Sequence, residues 1–195
     1  MTSTDNLKAL TDHMRRFITL DTAEESLLAN YIQFRDVRNK EHLLVSGHIC
    51  KANYFVIKGC FRMYSHTDSG TEQIVQFGID NWWIADYTSL DSQQPSFFNI
   101  QALEPGVVAT LERPAQEELF TRIPKLERYF RHILQRAYAA TLMRFHYIFS
   151  QSGEERYRHF NSLFPDFVQR IPQYMLASYL GFTPEFLSKI RAKKN

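Results

Sequence analysis

Residues Leu176–Asn195 read LASYLGFTPEFLSKIRAKKN. With Met175 just ahead, Leu176, Ala177 and Leu180 give one short helix an apolar side. Gly181 stands where a helix end commonly needs a residue of positive φ. Thr183 suits the cap of a following helix, and Pro184 its first position. Phe186, Leu187 and Ile190 then supply that second helix with an inward face. Two short helices joined by a tight, glycine-containing turn describe a helix-turn-helix. The outward positions of the second helix become Glu185, Ser188, Lys189, Arg191 and Lys193. Lysine can donate to guanine, glutamate can accept from cytosine, and a basic tail attracts phosphate. Gln173 and Thr183 complete the set of candidate DNA-binding residues. The competing reading is a structural helical hairpin whose lysines are merely solvated.

Upstream, Ser152 and Glu155 in SGEERYRHFNSLF form a capping-box pattern, and Pro165 ends that helix. Before it, PKLERYFRHILQRAYAATLMRFHYIFSQ predicts one long helix with Leu126, Phe130, Ile133, Ala137, Ala140, Phe145 and Ile148 near one face. A helix of that length leans on another domain, on its twin in a dimer, or on a sheet. A shorter helix is expected from Pro114.

Between about Arg38 and Leu111 the period changes to two. In YFVIKGCFRMY, Phe55, Ile57, Phe61 and Met63 share one parity, the mark of a half-buried strand. EQIVQFG, FFNIQAL and VVATL read alike, and DSG at 68–70 predicts a hairpin turn. Many short strands imply a sandwich, roll or barrel. At the front, TAEESLLANYI offers Thr22 and Glu25 as a capping box.

The net charge of +2 hides an asymmetry. Residues 1–118 hold 10 Lys/Arg against 16 Asp/Glu, a balance of −6; residues 119–195 hold 13 against 5, a balance of +8. Two modules are expected, the second able to approach a polyanion. No apolar run is long enough to span a bilayer, and no signal-peptide core is present, so a cytoplasmic protein with no membrane partner is expected. Cys50 and Cys60 are read as reduced, with a bridge between them the alternative. No His-x-His pair, phosphate loop or zinc spacing is visible, so neither a metal, a cofactor nor an enzyme is expected; a cupin-like jelly-roll enzyme is the disfavoured alternative. His42, His48, His66 and Cys50 form no haem-ligand pattern.

The order of parts resembles the Crp–Fnr family of bacterial transcription regulators across almost the whole chain. VIKGCFRMYSHTDSGTEQIVQFG is similar to that family's glycine-punctuated hairpin, and LASYLGFTPEFLSKIR to its DNA-reading segment. The resemblance implies an α+β fold. A cyclic-nucleotide-binding-like β-roll or jelly roll would occupy 1–118, a dimerisation helix 119–151, and a helix-turn-helix lacking a wing 152–195. It implies double-stranded DNA and a second copy of the chain as partners, with RNA polymerase a further one. The family's cyclic-nucleotide cassette has a Glu for the ribose and an Arg for the phosphate. Here Asp86 falls at the Glu position, Ser96 at the Arg position and Phe97 after it, within NWWIADYTSLDSQQPSFFNIQA. A phosphate without a cation loses its hydration unmatched, so cAMP binding is expected to be weak or absent. Trp82, Trp83, Phe97 and Phe98 crowd the same region: either packing that fills an obsolete pocket, or a site for an apolar small-molecule effector. Thr141 matches a position that can face the ligand in the family, or is a neutral helix residue. The same fold having lost DNA, as a protein-interaction module, is the alternative function.

Overall fold

The computed structural model describes residues 2–192. It opens with α1 (Ser3–Arg15) and α2 (Thr22–Ala29), each started by a capping box. The α2 cap is Asp21 with Glu24, one residue earlier than the Thr22–Glu25 pair that spacing suggested. A carboxylate at the cap accepts the Glu24 amide better than threonine would.

The roll follows: β1 (Gln33–Val37), β2 (His42–Leu44), β3 (Ala52–Lys58), β4 (Cys60–His66), β5 (Glu72–Ile79), β6 (Trp83–Ile84), helix α3 (Tyr87–Ser92), β7 (Asn99–Ala102) and β8 (Gly106–Glu112). The strands form two antiparallel four-stranded sheets, in the orders β1-β8-β3-β6 and β2-β7-β4-β5. The hairpin between β4 and β5 turns through Gly70 at φ 79°, with the Gly70 amide donating to the Thr67 carbonyl at 2.8 Å.

YFVIKGCFRMY is two strands, in different sheets. Gly59 sits at the crossing with φ 125°, a conformation few side chains adopt, and a methyl group there would press on the Gly106 backbone. The crossing breaks the shared parity. Phe55 and Ile57 face outward from the first sheet, whereas Phe61 and Met63 face inward from the second, beside Tyr54 and Val56. Neither strand is half-buried: nearly every residue of both is buried, because helices cover the outer face of each sheet.

Three cores result. The middle one lies between the sheets and holds Val56, Phe61, Ile84, Ile100 and Val108. On the first sheet, α1, α2, α4 (Arg113–Arg122) and the start of α5 (Lys125–Ser150) bury Leu10, Met14, Phe55, Trp83, Leu119 and Tyr129 together. Leu119 shares this core with Leu126, so the boundary expected at 118/119 falls inside a packed helix. On the second sheet, Cys60, Tyr64, Ile74 and Phe77 pack against Val168, Ile171, Met175, Leu176 and Leu180. These come from α7 (Pro165–Arg170) and α8 (Gln173–Leu180), which follow α6 (Gly153–Leu163) and precede α9 (Pro184–Ala192). Both cysteines are free and buried, Cys50 in the middle core and Cys60 in the core on the second sheet.

Of the stripe expected along α5, Leu126, Phe130 and Ile133 pack in the first core, and Ile148 near the far end is partly buried. Between Ile133 and Ile148, Ala137 and Ala140 are exposed. Leu134, Tyr138, Leu142, Phe145 and Phe149 are exposed too. At 100° per residue they fall within an arc of about 80°, so one apolar seam of four turns faces solvent.

Candidate nucleic-acid interface

Helices α8 and α9 meet at Gly181, whose φ of 78° allows its amide and that of Phe182 to close α8 on the Ser178 and Ala177 carbonyls. The Thr183 hydroxyl accepts the Phe186 amide at 3.3 Å and caps α9. Leu176, Ala177, Leu180, Leu187 and Ile190 are buried, which sets the roll of α9 about its axis. Phe186 is only half-covered: it meets Phe182 edge-to-face with ring centres 5.4 Å apart and lies over Gly153 at the start of α6, where a larger side chain would collide with its ring.

The opposite side of α9 presents Glu185, Ser188, Lys189 and Arg191 to solvent. The side chains of Ser188, Lys189 and Arg191 make no hydrogen bond or ion pair with another described residue. The Glu185 carboxyl is held below the usual range by its own backbone amide, the Thr183 hydroxyl and the Lys189 charge. It is therefore ionised and an acceptor only. Gln173, at the first position of α8, and Thr183 are exposed on the same two helices. Lys193 lies outside the described residues.

The cassette region is arranged the opposite way. Asp86 is buried and caps α3, its Oδ1 accepting the amides of Thr88 (3.0 Å) and Ser89 (3.3 Å). Its Oδ2 accepts the Ser96 hydroxyl at 2.6 Å, and that hydroxyl in turn accepts the Phe98 amide at 2.9 Å. The Ser89 hydroxyl donates to the Gln94 carbonyl and accepts the Cys50 amide at 2.9 Å. In the loop before β3, the Gly47 amide donates to the Ser96 carbonyl at 2.8 Å and the His48 carbonyl accepts the Ser96 amide at 2.9 Å. Thus the two cassette positions satisfy each other, and the loop closes on itself.

The four aromatic residues do not form one cluster. Trp83 belongs to the first core, where its indole N–H donates to the Tyr129 hydroxyl at 2.7 Å and its ring packs on Phe55 and Phe130. Phe98 is partly buried against the middle core, Trp82 is half-exposed, and Phe97 is 83% exposed. Neither Trp83 nor Phe97 therefore fills a pocket around Asp86: strand alternation sends Trp83 outward from the sheet, and the loop turn sends Phe97 into water. Thr141 is exposed on α5 and donates to the Ala137 carbonyl at 2.9 Å.

Residues 34–122 match the family profile described as the cyclic nucleotide-binding domain. In sequence and fold the chain is similar to regulators of the Crp–Fnr family. It is 23% identical over 184 residues to the fumarate and nitrate reduction regulatory protein of Vibrio cholerae, spanning 88% of this chain and 73% of that one. FixK2 from Bradyrhizobium japonicum superposes with a TM-score of 0.69 at 16% identity, covering 83% of each chain. The c-di-GMP responsive global regulator CLP of Xanthomonas campestris gives 0.70 at 13% identity, covering 89% of this chain and 91% of that one. Crp–Fnr regulators are not enzymes. Among the described residues no cluster of His, Cys, Asp and Glu is arranged to hold a metal, and no helix is long and apolar enough to cross a membrane.

Two features escaped the sequence reading. His13 of α1 shares a hydrogen bond between its Nδ1 and the Tyr129 hydroxyl at 2.8 Å, so α1, β6 and α5 share a buried His13–Tyr129–Trp83 chain of hydrogen bonds. Arg144 of α5 reaches the backbone of both β5 and α8. Its only sequence signal is a charge set in the largely apolar run TLMRFHYIF.

Proposed function

We propose that this chain is a dimeric DNA-binding transcription regulator whose roll works without cAMP. The observation that carries the reading is the outer face of α9, where Ser188, Lys189 and Arg191 are exposed, without a hydrogen-bond or ion-pair partner for their side chains among the described residues, beside an ionised Glu185. Those donors and that acceptor suit G·C edges and phosphates in a major groove. The exposed α5 seam is the natural partner for its own copy, because four turns of apolar side chain at intervals of three and four residues match a two-helix contact. A two-fold dimer would set its reading helices on half-sites about 34 Å apart. In this reading the roll with α1 to α4 forms the effector domain, α5 the dimerisation helix, and the helices from α6 onward the DNA-binding part.

Insensitivity to cAMP is supported by the Asp86–Ser96 bond. A cyclic phosphate entering beside Asp86 would have to displace Ser96, then face a buried carboxylate with no guanidinium in the cassette to neutralise it. The test is a selection of bound duplexes from genomic fragments with the purified protein, followed by binding at two salt concentrations and sedimentation. Palindromic sites, affinity falling steeply with salt, and a dimer are expected. A monomer that binds no duplex overturns the reading.

A further inference from the structure

The helix-turn-helix is fastened to the roll by a polar seam as well as by the third core. The Ser178 hydroxyl of α8 accepts the Ile74 amide of β5 at 2.9 Å and donates to the Glu72 carbonyl at 3.2 Å. The Gln73 side chain donates to the Ser178 carbonyl at 2.8 Å. Strand β5 ends its sheet, so α8 covers an edge whose backbone groups would otherwise be open.

Arg144 stands where this seam meets the long helix. Its Nη1 donates to the Val75 carbonyl at 2.6 Å, and its Nη2 to the Tyr179 carbonyl at 2.7 Å. Its guanidinium lies 4.0 Å from the centre of the Tyr179 ring. Three elements distant in sequence therefore meet on one side chain: α5, β5 and the end of α8. No carboxylate among the described residues pairs with it. Burial pushes its pKa below the usual arginine value, which marks a charge taken out of water without a counter-ion. A buried charge kept at that cost needs a compensating arrangement, and the flat fork of donors reaching two backbones supplies one that a lysine cannot copy. Arg156 of α6 makes a lesser strut nearby, donating to the Ile148 carbonyl at 3.1 Å with its charge 5.7 Å from the Phe182 ring.

We propose that Arg144 is a positioning residue for the reading helix, fixing the angle between α9 and the dimer helix by tying α5, β5 and α8 together. It rests on the regulator reading above. The reasoning is geometric. Leu187 locks α9 to the α8 core, so whatever holds α8 against β5 and α5 holds the reading face relative to the two-fold axis. A dimer that holds both reading helices rigidly accepts one half-site spacing; a loosened one accepts several.

The experiment uses the full chain and a selected palindromic duplex whose half-sites are re-spaced by one to five base pairs. The wild type should lose about tenfold or more in affinity when the spacing changes by two base pairs. Arg144→Met should lose about threefold or less for the same change, and Arg144→Lys should fall between them. Binding to a single half-site should be the same for all three. In parallel, hydrogen exchange at the Ile74 amide and along α8 should quicken about tenfold in Arg144→Met while the Val56 amide of β3 keeps its protection. If Arg144→Met does not fold, Arg144→Lys carries both readouts. A variant as strict about spacing as the wild type overturns the positioning role. A wild type that binds no duplex overturns the regulator reading instead, and the exchange arm then decides the latch: unchanged exchange at Ile74 and α8 overturns it.

Discussion

The cassette and the reading helix both carry small polar and charged side chains on short helices, yet they are built in opposite senses. Around Asp86 each polar group named above has an internal partner: Ser96, Thr88, Ser89 and Phe98 share its hydrogen bonds, and Cys50 and Gln94 close the next ring. Along α9, the exposed side chains of Ser188, Lys189 and Arg191 have no hydrogen-bond or ion-pair partner among the described residues. A buried polar network that satisfies itself gains nothing from a ligand and loses bonds when one enters. An exposed unpaired row pays little to meet a polyanion and releases its counter-ions when it does. Relatedness to cyclic-nucleotide-binding domains would direct attention to the first region, but the hydrogen bonds direct it to the second.

The largest effect that would break this contrast is at the reader. Lys189→Ala with Arg191→Ala should lower affinity for a selected duplex by about 100-fold or more and flatten its salt dependence, read by fluorescence anisotropy. The melting temperature should not move, because both side chains are exposed. Equal affinity in the double variant would remove α9 from the interface.

The dimer seam comes next. Leu142→Glu places a charge in the centre of the exposed α5 stripe. It should shift the protein to monomer by sedimentation and weaken binding to a two-half-site duplex by about tenfold or more, with single half-site binding kept.

At the cassette, Ser96→Ala removes a donor from a buried carboxylate and should cost about 1–3 kcal/mol in urea unfolding. DNA affinity of the folded variant should be unchanged. Titration of the wild type with cAMP to millimolar levels should give no heat by calorimetry; a saturable micromolar response would show that the closed loop opens for a ligand.

A third polar cluster sharpens the rule that closed networks serve stability. Burial, with the charges of Arg16 and Arg136 adding to it, lowers the His13 pKa from 6.5 to about 4. The unfolded chain then binds more protons than the folded one between those values. The contribution is full above about pH 6.5 and is lost as pH falls through about 4. Thermal unfolding of the wild type should weaken more between pH 7 and pH 4.5 than that of His13→Gln, which has no proton to gain. The smallest effect is expected for Thr183→Ala, about 1 kcal/mol from a single cap bond.

Much of the site was legible because it is local. Gly181 must close α8 in a left-handed conformation, Thr183 and Pro184 must start α9, and Leu187 and Ile190 must face inward; helical geometry then leaves Ser188, Lys189 and Arg191 outside. The presence of many short strands and the hairpin at 68–70 were local as well. The parity of YFVIKGCFRMY misled because alternation reports a face and not which sheet the face belongs to. Gly59 moves the chain from one sheet to the other, and helices from both ends cover what would have been solvent faces. The aromatic crowd near the cassette dispersed because adjacent residues part company in the fold: Trp83, in β6, is buried in the first core, while Trp82, just ahead of the strand, is half-exposed.

What the sequence determined by itself was the order of elements, the capped hairpin of helices at the end, and the missing arginine at the cassette, all set by residues within a few positions of one another. What only the tertiary structure decided was the pairing of Asp86 with Ser96, the burial of both faces of β3 and β4, and the meeting of α5, β5 and α8 on Arg144. Those contacts join residues up to about a hundred positions apart, and periodicity carries no information about partners at that range.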